Sequence, residues 1–269
     1  MTTDRPRLDH DVCGPPDAPL LVLGPSLGTS RILWEPYVGD LADRFRVLRF
    51  DLPGHGGSPA RDLVDPRPGR TTVAALADLV LALADEQGRE TFCYAGVSLG
   101  GAIGTWLAAR HADRISALAL ICTSAHFGGP EPWLDRAELV RRDGMGPLVE
   151  SSPARWFGDA GTAESAFGRS LVRGLATVDP AGYAACCDAL ATFDMRAELR
   201  RVQAPTWVVG GERDVATPLE HARELADGIP GAVLRTADCA HLALEDPAAV
   251  RGVLDAVHAA AGRTAAPLR

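Results

Sequence analysis

Six short apolar runs punctuate the chain at intervals that leave room for a helix between them. PLLVLGP (19–25), RVLRFDLPG (46–54), TFCYAGVS (91–98), ISALALICTSA (115–125), PTWVVGGERD (205–214) and AVLRTADCAH (232–241) read as strands. Helical apolar spacing occupies 34–44, 71–88, 99–111, 218–228 and 247–261, and Gly88 is placed to stop the second of these. Strands that alternate with helices in this way predict an α/β fold: a mostly parallel sheet with helices on both faces. Such sheets carry ligand sites at the carboxyl ends of their strands. The alternation breaks between 131 and 200, where helix-length pieces occur without a strand. That stretch reads as an inserted helical cap. The expected organisation is a core domain of residues 1–128 and 201–269 with a cap of residues 129–200.

Composition narrows the function classes. At 269 residues and 46% hydrophobic content, the chain can bury one large core. A formal net charge of −8 supplies no basic field for nucleic acid or for an anionic membrane surface. All 27 basic residues are arginines, which excludes a Schiff-base lysine and a P-loop lysine. The opening MTTDRPRLDH has no apolar core of a signal peptide, and no apolar run approaches the ~20 residues of a membrane span. The six cysteines show no framework spacing, so free thiols and a cytoplasmic location are expected. No metal-ligand spacing or cofactor motif is present, and neither a metal nor a cofactor is expected.

The chemistry concentrates where a strand hands over to a helix. Gly96-Val97-Ser98-Leu99-Gly100 has the G-x-S-x-G spacing of a tight strand–turn–helix corner, in which bulkier neighbours would strike adjoining backbone. Such a corner aims the serine hydroxyl out of the sheet at a helix N-terminus, where developing negative charge is favoured. A serine needs a base and the base needs an orienting acid, in the chain order Ser, acid, His. Asp214 and His241 follow later strands and fit that order. Glu212 is the rival acid; His10, His111 and His258 are weaker bases. Oxyanion donors are expected from the backbone N–H of Leu99 and of Leu27, since Pro25 in the same loop has none. His55, in the Gly-rich DLPGHGGS stretch, reads as part of a structural turn.

With these pieces in place, the chain resembles the α/β-hydrolase superfamily and, more narrowly, the 3-oxoadipate enol-lactonases. The resemblance rests on SLGTS (26–30), FDLPGHGGS (50–58), GVSLGG (96–101), RWF (155–157), DPAGYAACCDAL (179–190), APTWVVGGERDVATP (204–218) and AHLALEDP (240–247). It departs at Gly24-Pro25 and at Val215. It implies an α/β-hydrolase fold and hydrolysis of a small anionic lactone, 3-oxoadipate enol-lactone, within the β-ketoadipate pathway. Such a substrate carries a carboxylate. Trp133 and Arg136, one helical turn apart, are then expected to shape the pocket and pair that carboxylate. Arg31, Arg141 and Arg142 compete for the pairing role, and Trp156 is either a pocket wall or plain cap core. A different small-ester, lactone or C–C bond hydrolase, or a non-catalytic binding protein of this fold, remains an alternative.

Overall fold

The computed structural model describes residues 7–264, with side chains to 262. The start of the N-terminal decapeptide and most of the terminal GRTAAPLR stretch, which the sequence suggests is frayed, lie outside the described residues.

Among the described residues seven strands form one sheet: β1 (His10–Cys13), β2 (Leu20–Gly24), β3 (Arg46–Phe50), β4 (Phe92–Val97), β5 (Ile115–Ile121), β6 (Thr206–Gly211) and β7 (Val233–Ala237). Their order across the sheet is β1-β3-β2-β4-β5-β6-β7. All pairings are parallel except β1 against β3, where His10 faces Phe50. The antiparallel edge strand β1 is not expected from the sequence. HDVC is too short and too polar to read as a strand, and only pairing with β3 makes it one. The central strands are buried on both faces. This explains why LLVLG and FCYAGV read as continuous apolar runs rather than as alternation.

Helices α1 (Glu35–Ala42), α2 (Val73–Glu86) and α3 (Leu99–Arg110) follow β2, β3 and β4. Thr72 caps α2 by accepting the Ala75 N–H, and Gly88 follows its end at φ +66°, the left-handed stop that the sequence suggests. Between β5 and β6 lie α4 (Glu131–Asp143), α5 (Gly146–Ser151), α6 (Pro153–Trp156), α7 (Ala160–Glu164), α8 (Ala166–Ala176) and α9 (Pro180–Ala191). α10 (Leu219–Gly228) and α11 (Pro247–Thr264) complete the chain. No helix among the described residues is long and apolar enough to cross a membrane.

The inserted helices are tied down at defined points. α4 packs along α9, and Arg141 of α4 pairs with the fully buried Asp188 of α9. Gly182 of α9 rests directly on Gly54, and the Asp179 N–H donates to the Gly54 carbonyl at 2.8 Å. These contacts hold the helical insertion over the carboxyl ends of β2, β3 and β4.

Candidate active site

The corner after β4 has the expected strain. Ser98 sits at φ +55°, ψ −117°, a conformation that a non-glycine residue keeps only when its surroundings enforce it. They do so here. The Ser98 N–H donates to the Ile121 carbonyl at 3.1 Å, and its own carbonyl accepts from Thr123 Oγ1 at 2.6 Å and from the Ala102 N–H at 2.9 Å. The glycines are sterically required. A Cβ on Gly96 would lie 2.3 Å from the Gly100 carbonyl carbon, and one on Gly100 would lie 2.4 Å from the Gly24 oxygen.

A cleft partly open to solvent lies above this corner. Ser26, Leu27, Ser98, Trp133, Arg136, Trp156 and His241 all line it, so the residues expected to share a site do converge. Leu99 lies beneath, as the first residue of α3. The Leu27 N–H is left uncommitted by its neighbours: the Gly28 N–H is taken by His55 and the Thr29 N–H by the Ser26 carbonyl.

His241 Nδ1 and Asp214 Oδ2 are 2.9 Å apart, and both side chains are almost wholly buried. Burial works to raise the Asp214 pKa. Its His241 partner and the donors from Thr217 outweigh that, so the carboxyl is held below its ordinary value. Thr217 Oγ1 donates to the same Oδ2 at 2.6 Å, while Oδ1 accepts the N–H groups of Ala216 and Thr217. Glu212, the rival acid, is exposed. Ser98 Oγ shares the cleft with His241 without a direct hydrogen bond to it. Such bonds commonly tighten only once substrate is present.

Trp133 and Arg136 share a face of α4 as expected, with the guanidinium carbon 5.1 Å from the indole centroid. The competing arginines are committed elsewhere. Arg31 pairs with Asp9, Asp11 and Asp51, Arg141 with Asp188, and Arg142 with Asp143. Trp156 is both buried and part of the cleft wall.

Three residues of this region were not singled out from the sequence. Arg155 lines the cleft near Arg136, and partial burial together with that like charge pulls its pKa below the ordinary value. It remains a cation at neutral pH. Among the described residues neither Arg136 nor Arg155 has a carboxylate partner. Tyr183 also lines the cleft; burial raises its pKa, and Arg136 opposes that rise. Glu245 braces the loop that carries His241, accepting from the Ala240 N–H at 3.1 Å and the Gly158 N–H at 2.7 Å. RWF and AHLALEDP contain Arg155 and Glu245, but no sequence rule says which arginine turns inward. No group of three or more His, Cys, Asp or Glu residues suited to a metal occurs among the described residues.

Comparison with known proteins shows the family. Residues 19–248 match the family described as the alpha/beta hydrolase fold. The chain is 31% identical to 3-oxoadipate enol-lactonase 2 of Acinetobacter baylyi, covering 96% of this chain and 95% of the relative. It is 33% identical to a pimeloyl-[acyl-carrier protein] methyl ester esterase of Chromobacterium violaceum, covering 72% and 75%. The crystal structure of the enol-lactonase from Burkholderia xenovorans LB400 superposes with a TM-score of 0.86 at 35% identity, covering 93% of this chain and 95% of that one. The chain therefore belongs to the α/β-hydrolase fold family, as a relative of the 3-oxoadipate enol-lactonases and a hydrolase of the ester and lactone class.

Proposed function

We propose that this chain opens 3-oxoadipate enol-lactone, or a lactone very like it, through an acyl-serine intermediate. The observation that carries the reading is one cleft holding Ser98, the His241–Asp214 pair and two arginines without acidic partners. Ser98 Oγ attacks the lactone carbonyl carbon while His241 Nε2 takes its proton. Asp214 holds Nδ1–H toward itself and stabilises the imidazolium. The N–H groups of Leu27 and Leu99 receive the oxyanion, each worth roughly 3–4 kcal/mol in the transition state. The ring C–O bond then breaks. The enol oxygen leaves with the proton from His241, and the enol becomes a ketone. Water deprotonated by His241 attacks the acyl carbonyl, and Ser98 departs with the proton returned to it.

Arg136, with Arg155 beside it, pairs the carboxylate of the substrate, and Trp133, Trp156 and Tyr183 wall the pocket. Residues 129–200 act as the cap, set on a core of 1–128 and 201–269. The six free thiols fit a reducing compartment such as the cytoplasm.

The test is loss of enol-lactone ultraviolet absorbance with purified protein. Ser98→Ala lowers turnover by about 10³-fold or more. Near-parental turnover in that variant defeats the nucleophile assignment, and an inert parent enzyme defeats the lactone. The likeness to a methyl ester esterase supports a second reading, a small carboxylate-bearing methyl ester, which a substrate panel separates from the first.

A further inference from the structure

The DLPGHGGS turn has a chemical feature that its composition does not announce. His55 is fully buried, and each ring nitrogen has a partner. Nδ1 lies 2.9 Å from the Pro53 carbonyl, which can only accept, so Nδ1 carries the hydrogen. Nε2 is then a bare lone pair, and the Gly28 N–H donates to it at 3.0 Å. Gly28 lies at φ +85° in the loop that holds Leu27. The other end of that loop is fixed by the Pro25 carbonyl, which accepts the Gly100 N–H at 3.1 Å. The Ser26–Leu27 peptide, which carries the Leu27 N–H, is therefore held between two anchored peptides. A face of the His55 ring stacks toward Tyr183 of α9, with centroids 6.1 Å apart and planes 23° from parallel.

We propose that His55 is a positioning residue for catalysis: its Nε2 lone pair anchors the Gly28 N–H and so steadies the adjoining Ser26–Leu27 peptide, whose Leu27 N–H is aimed at the oxygen that gains charge. This rests on the reading of Ser98 as nucleophile and Leu27 as oxyanion donor. The assignment has a chemical reason. A loop donor contributes to the transition state only if it is already oriented, because reorienting a peptide during reaction consumes the gain. A histidine clamp also removes the Gly28 N–H from competition, leaving Leu27 as the donor. The ring acts through the loop without touching substrate.

The test uses 4-nitrophenyl acetate, which has no carboxylate, so its outcome is independent of the lactone assignment. His55→Phe keeps an aromatic face for Tyr183 and deletes the acceptor. His55→Gln returns an amide oxygen near the position of Nε2. The expected result for the Phe variant is a kcat lower by about 10²–10³-fold with KM within about threefold, the signature of a lost oxyanion donor. The Gln variant recovers at least about tenfold of that loss. A folded Phe variant with kcat within about threefold of the parent overturns the proposal. If the Phe variant does not fold, His55→Asn takes its place, since the shorter amide does not reach Gly28. Equal kcat in the Asn and Gln variants then overturns it. A fluorophosphonate probe separates the two readings. If the parent protein is not labelled at Ser98, the serine-hydrolase reading fails. If it is labelled while kcat is unmoved by His55→Phe, the clamp alone fails.

Discussion

Asp214 does two things with one carboxylate. Oδ1 turns the chain into α10 by accepting two successive backbone N–H groups, and Oδ2 engages His241. Both roles are met at once, because the two oxygens point to different partners. Arg155 illustrates the opposite situation, a charge with no partner. A half-buried cation without an acid is costly and is kept where a ligand supplies the missing charge. Arg155→Met therefore raises KM for the carboxylate-bearing lactone by about 10–100-fold, the worth of one charged hydrogen bond. It leaves KM for 4-nitrophenyl acetate unchanged. Steady-state kinetics on both substrates check this, and parallel losses on the two would show a packing role instead.

At the scale of elements, the corner between β4 and α3 and the loop after β2 form one mechanical unit. Gly100 joins them. Its N–H reaches the Pro25 carbonyl, and its carbonyl accepts the Tyr94 hydroxyl at 2.8 Å. Gly100→Ala places a methyl 2.4–2.8 Å from backbone atoms of Gly24 and Pro25, which cannot yield as a flexible side chain would. Overpacking of this kind costs about 1–3 kcal/mol. The expected result is a lower urea midpoint and a kcat reduced well beyond the fraction of unfolded protein, since the same shift displaces Leu27. Urea titration and kinetics on the folded fraction measure the two effects separately. A variant with parental kcat would uncouple the corner from the loop.

At the scale of the whole molecule, acid stability follows from which groups are buried neutral and which are buried charged. His55 faces the Pro53 carbonyl, the Tyr183 ring and, farther off, Asp179. Burial holds its pKa down to about 4 against an ordinary 6.5. Between those values the unfolded chain binds the proton and the folded chain does not. Its contribution is therefore complete above pH 6.5 and lost as pH falls toward 4. Asp214, held below its ordinary value, adds a loss at still lower pH as it protonates. Asp51, raised by burial, runs the other way and favours the fold as it takes up a proton. Thermal denaturation followed from pH 7 to pH 4 should show Tm falling across that window, with a shallower slope in His55→Phe. Identical slopes would exclude His55 as the group responsible.

The alternation of apolar runs and helical stretches specified the sheet, while the G-x-S-x-G spacing pointed to Ser98 and the order of residues after later strands to Asp214 and His241, because these depend on local periodicity and on turns whose sterics a few residues dictate. Strand β1 was not readable, since a four-residue polar strand exists only by virtue of its partner. The inward turn of Arg155, the pairing that removes Arg31 and Arg141 from the site, and the two-sided clamp of His55 were decided by tertiary structure alone. The pairings depend on groups brought within hydrogen-bonding distance across 20 to 47 residues of chain, over which no sequence period carries the information.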